Sequence, residues 1–327
     1  MYNFVLDCSN EKLAEYLKIN EDNAVETFVH GDLNWCLQTY LILSKNTDLP
    51  VTCSNRLLKD CINLVHSDTL LTLKGTPEHF IVCVRADYPG RKWSHYHLVQ
   101  NKRQLKSNTA YIPHWVQPGL IGRDHPQRQG VMRVGYSGQV FNKNFAGSVS
   151  DWEKMLAPHG IEFVTLTNGI WHNLKDVDVL IGIRGFNSRP YNTKPPTKLF
   201  NAWHAKIPFI GGNDSAYKQV GVPGKDYLVA KTPKQALDAI LRLKGDPSLY
   251  QNIVENGSKK AEQYTEERIM QVWVEVLTNQ ILKRYNAWKR HTSFEKLRFP
   301  VTQKLGLMQH KSKQIIKRVM IQAHILS

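Results

Sequence analysis

Between Val177 and Gly221 the chain reads VDVLIGIRGFNSRPYNTKPPTKLFNAWHAKIPFIGGNDSAYKQVG, with basic residues spaced to hold an anion. An apolar run, Val177–Ile183, ends at Arg184, and Lys194 and Lys198 then bracket Pro195, Pro196 and Thr197. Proline suits a helix entrance because its missing N–H would have no intrahelical partner there. A helix over Thr197–Lys206 would leave the amides of Thr197, Lys198 and Leu199 free to donate, with the helix dipole favouring negative charge at the same end. Leu199, Ala202 and Trp203 fall on one face of that helix, Lys198 and Asn201 on the other. Ser215, after Gly-Gly-Asn-Asp, opens a second helix near the same edge. A charge-assisted contact contributes ~1.5–3 kcal/mol, so three or four would hold a diphosphate. The competing account is a proline-led helix with solvated lysines. The succession of strand-end Arg, KPPTK and a second Gly-rich loop favours the anion site.

Asp32, in His30-Gly31-Asp32 between a strand and a helix from Leu33, is placed to face a cleft, with His30 and Asp87 behind it. Its structural alternative is ordinary N-cap chemistry. Asp176-Val177-Asp178 matches a metal-binding D-x-D pattern, but it stands where a strand begins, whereas active-site carboxylates belong where strands end. His95 and His97 alternate without a third ligand, so they read as packing or surface histidines and no metal site is expected. Neither G-x-G-x-x-G nor G-x-x-x-x-G-K-[ST] occurs, which removes the main support for dinucleotide oxidoreductases and P-loop ATPases. Trp115 and Trp171 are candidates to line the cleft, and the sequence leaves them open.

The elements that position these residues alternate. Apolar β-branched runs predict strands at Phe4–Asp7, Glu26–His30, Val51–Ser54, Thr69–Leu73, Phe80–Arg85 and Ala110–His114. Further strands are predicted at Met132–Tyr136, Ile161–Leu166, Val177–Arg184, Ile207–Ile210 and Tyr227–Ala230. Helical patterns cover Leu33–Ser44, Arg56–Val65, Ser150–Ala157, Thr197–Lys206 and Pro233–Leu243, then Pro247–Asn256 and Glu266–Trp288. Strands separated by helix-length segments predict an α/β chain with parallel sheets. The polar, turn-rich loop Gln117–Gly130 divides it. Residues 1–130 form one α/β domain, 131–280 a second, and 281–327 a basic helical tail, with a ligand cleft between the facing carboxyl edges of the two sheets.

KPPTKLFNAWHAKIPFIGG, followed by SAYKQVG, DYLVA, TPKQALDAI and a Trp-bearing terminal helix, resembles the donor-binding half of GT-B glycosyltransferases. The likeness is to bacterial and cyanobacterial-type enzymes that use nucleotide-diphosphate sugars. It runs from about Gly135 to Leu277 and is fainter before that, in RADYPGRKWSHYHLVQN and YIPHW. It implies two Rossmann-like domains facing a central cleft, with Lys198 and Thr197 at the donor diphosphate and Arg184 as a second phosphate contact. The turn Gly135-Tyr-Ser-Gly138 resembles the glycine loop that opens the second domain. A Glu-x7-Glu pattern of many retaining members is absent, its positions being Thr193 and Asn201. The function implied is metal-independent sugar transfer from a nucleotide-diphosphate donor to a hydroxyl on a polysaccharide, glycan or lipid-linked acceptor. The donor-site set is Gly138, Arg184, Lys194, Thr197, Lys198, Asn201 and Ser215, with Asp32 as base. No cofactor beyond the nucleotide sugar as co-substrate is implied. The alternatives from other classes are a non-catalytic nucleotide- or glycan-binding protein and a sugar-nucleotide epimerase.

The 327 residues are 42% hydrophobic and carry a net charge of +15. That charge is uneven. From Ile281 to Ser327 eleven Lys or Arg face a single acid, Glu295, giving +10 and leaving +5 for the rest. The body is only mildly basic, and no nucleic-acid partner is expected. No apolar run reaches the ~18 residues of a membrane span. The first ten residues lack a secretory pattern. Five cysteines without a C-x-x-C pair read as reduced thiols of a cytoplasmic protein. Residues 289–327 admit two readings: a basic amphipathic helix lying peripherally on the anionic inner face of a membrane, or a helix packing back on the first domain.

Overall fold

The computed structural model describes residues 1–19, 25, 27–28, 31–73, 75–124, 129–140, 144–167 and 169–325. Two parallel sheets succeed one another along the chain. The first contains β1 (Tyr2–Val5), β2 (Val51–Ser54), β3 (Ile62–His66), β4 (Phe80–Val84), β5 (Tyr96–Val99) and β6 (Thr109–Tyr111), in the order β2-β1-β3-β4-β5-β6. The second contains β7 (Arg133–Ser137), β8 (Glu162–Leu166), β9 (Val179–Gly182), β10 (Phe209–Gly211) and β11 (Leu228–Val229), in the order β11-β10-β9-β7-β8. The strands are short apolar runs because both faces of a parallel sheet are covered by helices. Strand order reverses between β1 and β3 in one sheet and between β7 and β9 in the other, and a crevice opens at the carboxyl ends there.

The first sheet is served by α1 (Asn10–Tyr16), by α2 (Gln38–Asn46) with a π turn over Leu33–Leu37 before it, and by the single turn α3 (Thr69–Thr72). The second has α4 (Val149–Leu156), α5 (Thr197–His204), α6 (Ser215–Val220), α7 (Pro233–Gly245) and α8 (Pro247–Ala261). Local chemistry sets their starts. Ser148 and Asp151 form a capping box on α4, and Thr232 and Asp246 cap α7 and α8 directly ahead of their prolines. Then α9 (Glu266–Glu275), a π turn over Val276–Ile281 and α10 (Leu282–Lys289) return to the first sheet. Trp273, Leu277, Ile281 and Trp288 share a core with Phe4, Leu64, Phe80 and Trp115. The Tyr2 hydroxyl donates to the Leu277 carbonyl at 3.2 Å. The helix α11 (Thr292–Ile325) runs over the other face of that sheet, where Phe299 joins Val5, Val65, Ile81 and Trp93.

Several local expectations are corrected. Arg56–Val65 is not a helix, because Ile62–His66 is the central strand β3. Its helical look came from Asn63, a polar residue in a strand buried on both faces. That side chain accepts from Asn3 Nδ2 at 2.9 Å and donates to the Leu58 carbonyl at 2.9 Å and the Phe80 carbonyl at 3.1 Å. Thr69–Leu73 is the turn α3 rather than a strand. The strand β5 was missed because His95 and His97 interrupt its apolar run. Of Glu26–His30, residues 26, 29 and 30, His30 among them, lie outside the described residues, and Thr27 and Phe28 form a turn.

Candidate functional site

The residues expected to hold an anion emerge at the β7/β9 switch point. β7 ends at Ser137, and Gly138 follows with φ +132°, where a side chain would strain the backbone. A Cβ there would also lie 3.2 Å from Lys198 Nζ, so glycine lets the basic side chain close against the turn. Lys198 stands in the first turn of α5, its ammonium 4.9 Å from the centre of the Tyr136 ring, within cation–π range. Burial, with Arg184 and Lys194 adding to it, lowers its pKa from 10.5 to about 7. Arg184 follows β9 and donates through Nε to Asp214 Oδ1 at 2.6 Å and through Nη2 to the Pro195 carbonyl at 3.4 Å. Asp214 is fully buried, so the guanidinium is fixed in place while leaving donors toward the cavity.

At the start of α5, the Leu199 amide donates to the Pro196 carbonyl at 2.9 Å and is engaged, contrary to expectation. Among the described residues the amides of Thr197 and Lys198 have no acceptor, and both residues line the cavity. Lys194 forms an ion pair with Asp87 of the first domain, across the cleft. Asn201 does not share an open face with Lys198. It is 4% exposed among the packed residues of α5, with Oδ1 lacking a partner. Ser215 lies at the domain junction, its amide donating to the Pro190 carbonyl at 2.7 Å and its hydroxyl accepting from Asn101 Nδ2 at 3.0 Å.

Between the domains these groups surround a cavity of about 300 Å³, at the lower end of the range for small-molecule sites. Tyr136, Arg184, Lys194, Thr197 and Lys198 line one side; Gly31, Asn34, Trp35, Asp87, Tyr88 and His114 line the other. A larger depression of about 610 Å³ near Met132, Arg133 and Glu162 sits at the amino ends of β7 and β8, away from this cluster. Asp32 occupies the N-cap position ahead of Leu33 without a side-chain capping bond, beside the lining residue Gly31. Its charge acts on His66, whose ring is buried with Nε2 unpartnered and whose pKa is lowered by burial.

The sequence reading did not single out His114. Its Nδ1 lies 2.7 Å from the Trp115 carbonyl, and because a carbonyl only accepts, that nitrogen carries the proton. Burial lowers the pKa, so the ring is neutral and Nε2 keeps a lone pair at the cavity. The available signal was YIPHW, an imidazole just past the end of β6. Trp115 is buried away from the cavity, donating to Thr39 Oγ1 at 2.9 Å. Asp178 of the D-x-D match is a buried structural carboxylate, accepting from Arg123 Nε at 2.9 Å and from the amides of Met132 and Arg133 at 2.8 Å. His95 Nδ1 accepts from the Ile81 amide at 2.9 Å, and His97 Nε2 lies 3.1 Å from the Arg91 carbonyl. Among the described residues no group of three or more His, Cys, Asp and Glu is placed to hold a metal ion.

No protein-family model matches the chain, and no curated protein does. Solved structures do. The Anabaena protein HepE in complex with UDP and glucose superposes with a TM-score of 0.52 at 10% identity, covering 85% of this chain and 98% of its own. Sucrose-phosphate synthase from Thermosynechococcus elongatus gives 0.50 at 10% identity, with 81% of each chain covered. TarM gives 0.48 at 14% identity, and this chain spans 58% of its length. At such identities the likeness establishes the fold: the two facing parallel α/β sheets are the GT-B architecture.

Proposed function

We propose that this chain transfers a sugar from a nucleotide-diphosphate donor to a hydroxyl acceptor, the second domain binding donor and the first binding acceptor. The observation that carries the reading is the convergence on one interdomain cavity of Lys198, Arg184 and the two free amides that open α5, facing His114 and Asp87. Breaking a glycosidic bond to a nucleoside diphosphate builds charge on the departing phosphate. Fixed cations and helix-end amides stabilise that charge in place, without reorganising as it develops. UDP is the first nucleotide to try, since it occupies the HepE structure.

Asp32 is the proposed base for the acceptor hydroxyl. A second reading of the proton acceptor rests on His114, whose free Nε2 lines the cavity itself. Transfer and donor hydrolysis assayed over a panel of nucleotide sugars test the proposal. Lys198→Ala is expected to cost about 10- to 100-fold in kcat/KM, the worth of one charge-assisted contact. Nucleotide binding with no turnover on any donor and acceptor would overturn it, and conversion of free sugar nucleotide without an acceptor would indicate an epimerase. Asp32→Asn and His114→Gln separate the two bases: a base works only when deprotonated, so only loss of the true one removes the acidic limb of the pH–rate profile while leaving donor affinity intact.

A further inference from the structure

We propose that α11 docks an anionic lipid surface. The helix carries two faces. One is committed to the fold through Glu295, Phe299 and Gly306: Glu295 Oε2 lies 3.2 Å from His95 Nε2 and 2.8 Å from Arg298 Nη2, Phe299 is buried, and Gly306 abuts Trp93. The other is a single stripe of large apolar side chains, from Phe294 through Leu297, Val301, Leu305, Met308 and Ile315 to Val319, each between 50% and 74% exposed. At 100° per residue these positions stay within about one-third of the helix circumference. Lys304, Lys311 and Arg318 follow the stripe's border at seven-residue intervals.

Charge decides among occupants. The helix holds seven Lys or Arg and one acid, and that acid is already taken by His95 and Arg298. A second copy would bring the same cations against these, with no carboxylate to pair them. RNA would need aromatic platforms for its bases, and Phe294 is the one exposed aromatic of α11 among the described side chains. An anionic bilayer accepts both features, taking the apolar stripe into its headgroup boundary and pairing the flanking cations with phosphates. No helix of the described residues is long and apolar enough to cross a membrane, so the contact is a surface one.

Co-sedimentation of the full chain with phosphatidylcholine vesicles, with and without phosphatidylglycerol, tests this, and it is read without nucleotide so that it stands apart from sugar transfer. Binding is expected to the anionic vesicles and to weaken with salt. Replacing Lys304, Lys311 and Arg318 by Gln lowers the partition coefficient on the order of a hundredfold. The variant Leu305→Ser, Met308→Ser, Ile315→Ser lowers it by about tenfold or more. Unchanged near-ultraviolet circular dichroism shows that both variants keep the fold. Failure to pellet with anionic vesicles, or pelleting that neither variant alters, overturns the proposal. So does a doubled mass in light scattering that the apolar variant abolishes, or binding to an RNA homopolymer in place of vesicles.

Discussion

An ammonium on a solvated side chain stays charged through the neutral range, but Lys198, enclosed against Tyr136 with Arg184 and Lys194 nearby, titrates at about 7. A diphosphate placed beside it favours the charged form and raises that pKa on binding. The sign follows. Below pH 7 the lysine is already protonated in the free protein, and binding takes up no proton there. Above pH 7 binding must draw one from solution, so affinity falls as pH rises, by at most about tenfold per unit until the bound-state pKa is reached. Nucleotide sugars suit the measurement because their diphosphate has no group titrating near neutrality. Calorimetry at pH 8 in two buffers of different ionisation enthalpy is expected to show proton uptake that Lys198→Ala abolishes. Equal heats in both buffers would show that the lysine does not meet the donor. Because the proposed stabilising charges are side-chain cations and amides, EDTA is expected to leave the transfer rate unchanged; loss of the rate on chelation, restored by a divalent ion, would contradict that mechanism.

Elements reach their places through residues that a pattern search treats as noise. The proline-led helix α5 was legible because KPPTK is a local signal, and the apolar strands β4 and β9 were legible because nothing interrupts them. By contrast β3 and β5 were obscured by Asn63, His95 and His97, polar residues whose side chains find partners both in nearby loops and across the sheet, as Asn63 does with Leu58, Asn3 and Phe80. The site shows the same division. Lys198 and Arg184 could be read from spacing, whereas the seat of His114 depends on a backbone carbonyl and on a cavity that exists only once both domains are folded. One of these long-range contacts gives a test at the scale of the helix. Burial raises the pKa of Glu295, but the His95 and Arg298 bonds outweigh it and bring the carboxyl to about 2. A depressed carboxyl pKa contributes stability above its unfolded value of 4.5 that is lost as pH falls toward 2. Trp93, in contact with Gly306, reports the docking of α11. Its fluorescence is expected to change between pH 4.5 and 2 in the native chain, and Glu295→Gln is expected to remove that step. A transition of the same midpoint in the variant would assign it to other groups.

At the scale of the whole molecule, transfer across a cleft, as proposed, depends on how the two halves are held, and Asn101 is a principal polar hook. It is fully buried, donating through Nδ2 to the Lys194 carbonyl at 3.1 Å and to Ser215 Oγ at 3.0 Å, and accepting on Oδ1 from Gln219 Nε2 at 2.8 Å. All three partners belong to the second domain, and Lys194 also pairs with Asp87 at the cavity. The return of α9 and α10 joins the halves elsewhere, through an apolar core that includes Trp273, so cutting the polar hook is expected to loosen the cleft without separating the domains. Each intramolecular hydrogen bond contributes about 0.5–1.5 kcal/mol net, so losing three shifts a closed–open balance by one to three orders of magnitude. The groups proposed to carry the donor diphosphate, Lys198, Arg184 and the first amides of α5, make no bond to Asn101 and are expected to survive, although Lys194 and Ser215 each lose one. Asn101→Ala is therefore expected to enlarge the radius of gyration seen by X-ray scattering, to leave donor affinity nearly constant, and to reduce transfer by at least about tenfold, because acceptor and donor groups no longer meet. If donor affinity fell in parallel with transfer, the residue would be shaping the nucleotide pocket itself; if scattering and transfer both stayed native, the returning helices and the remaining Lys194–Asp87 and Lys102–Gln219 contacts would hold the two halves without Asn101.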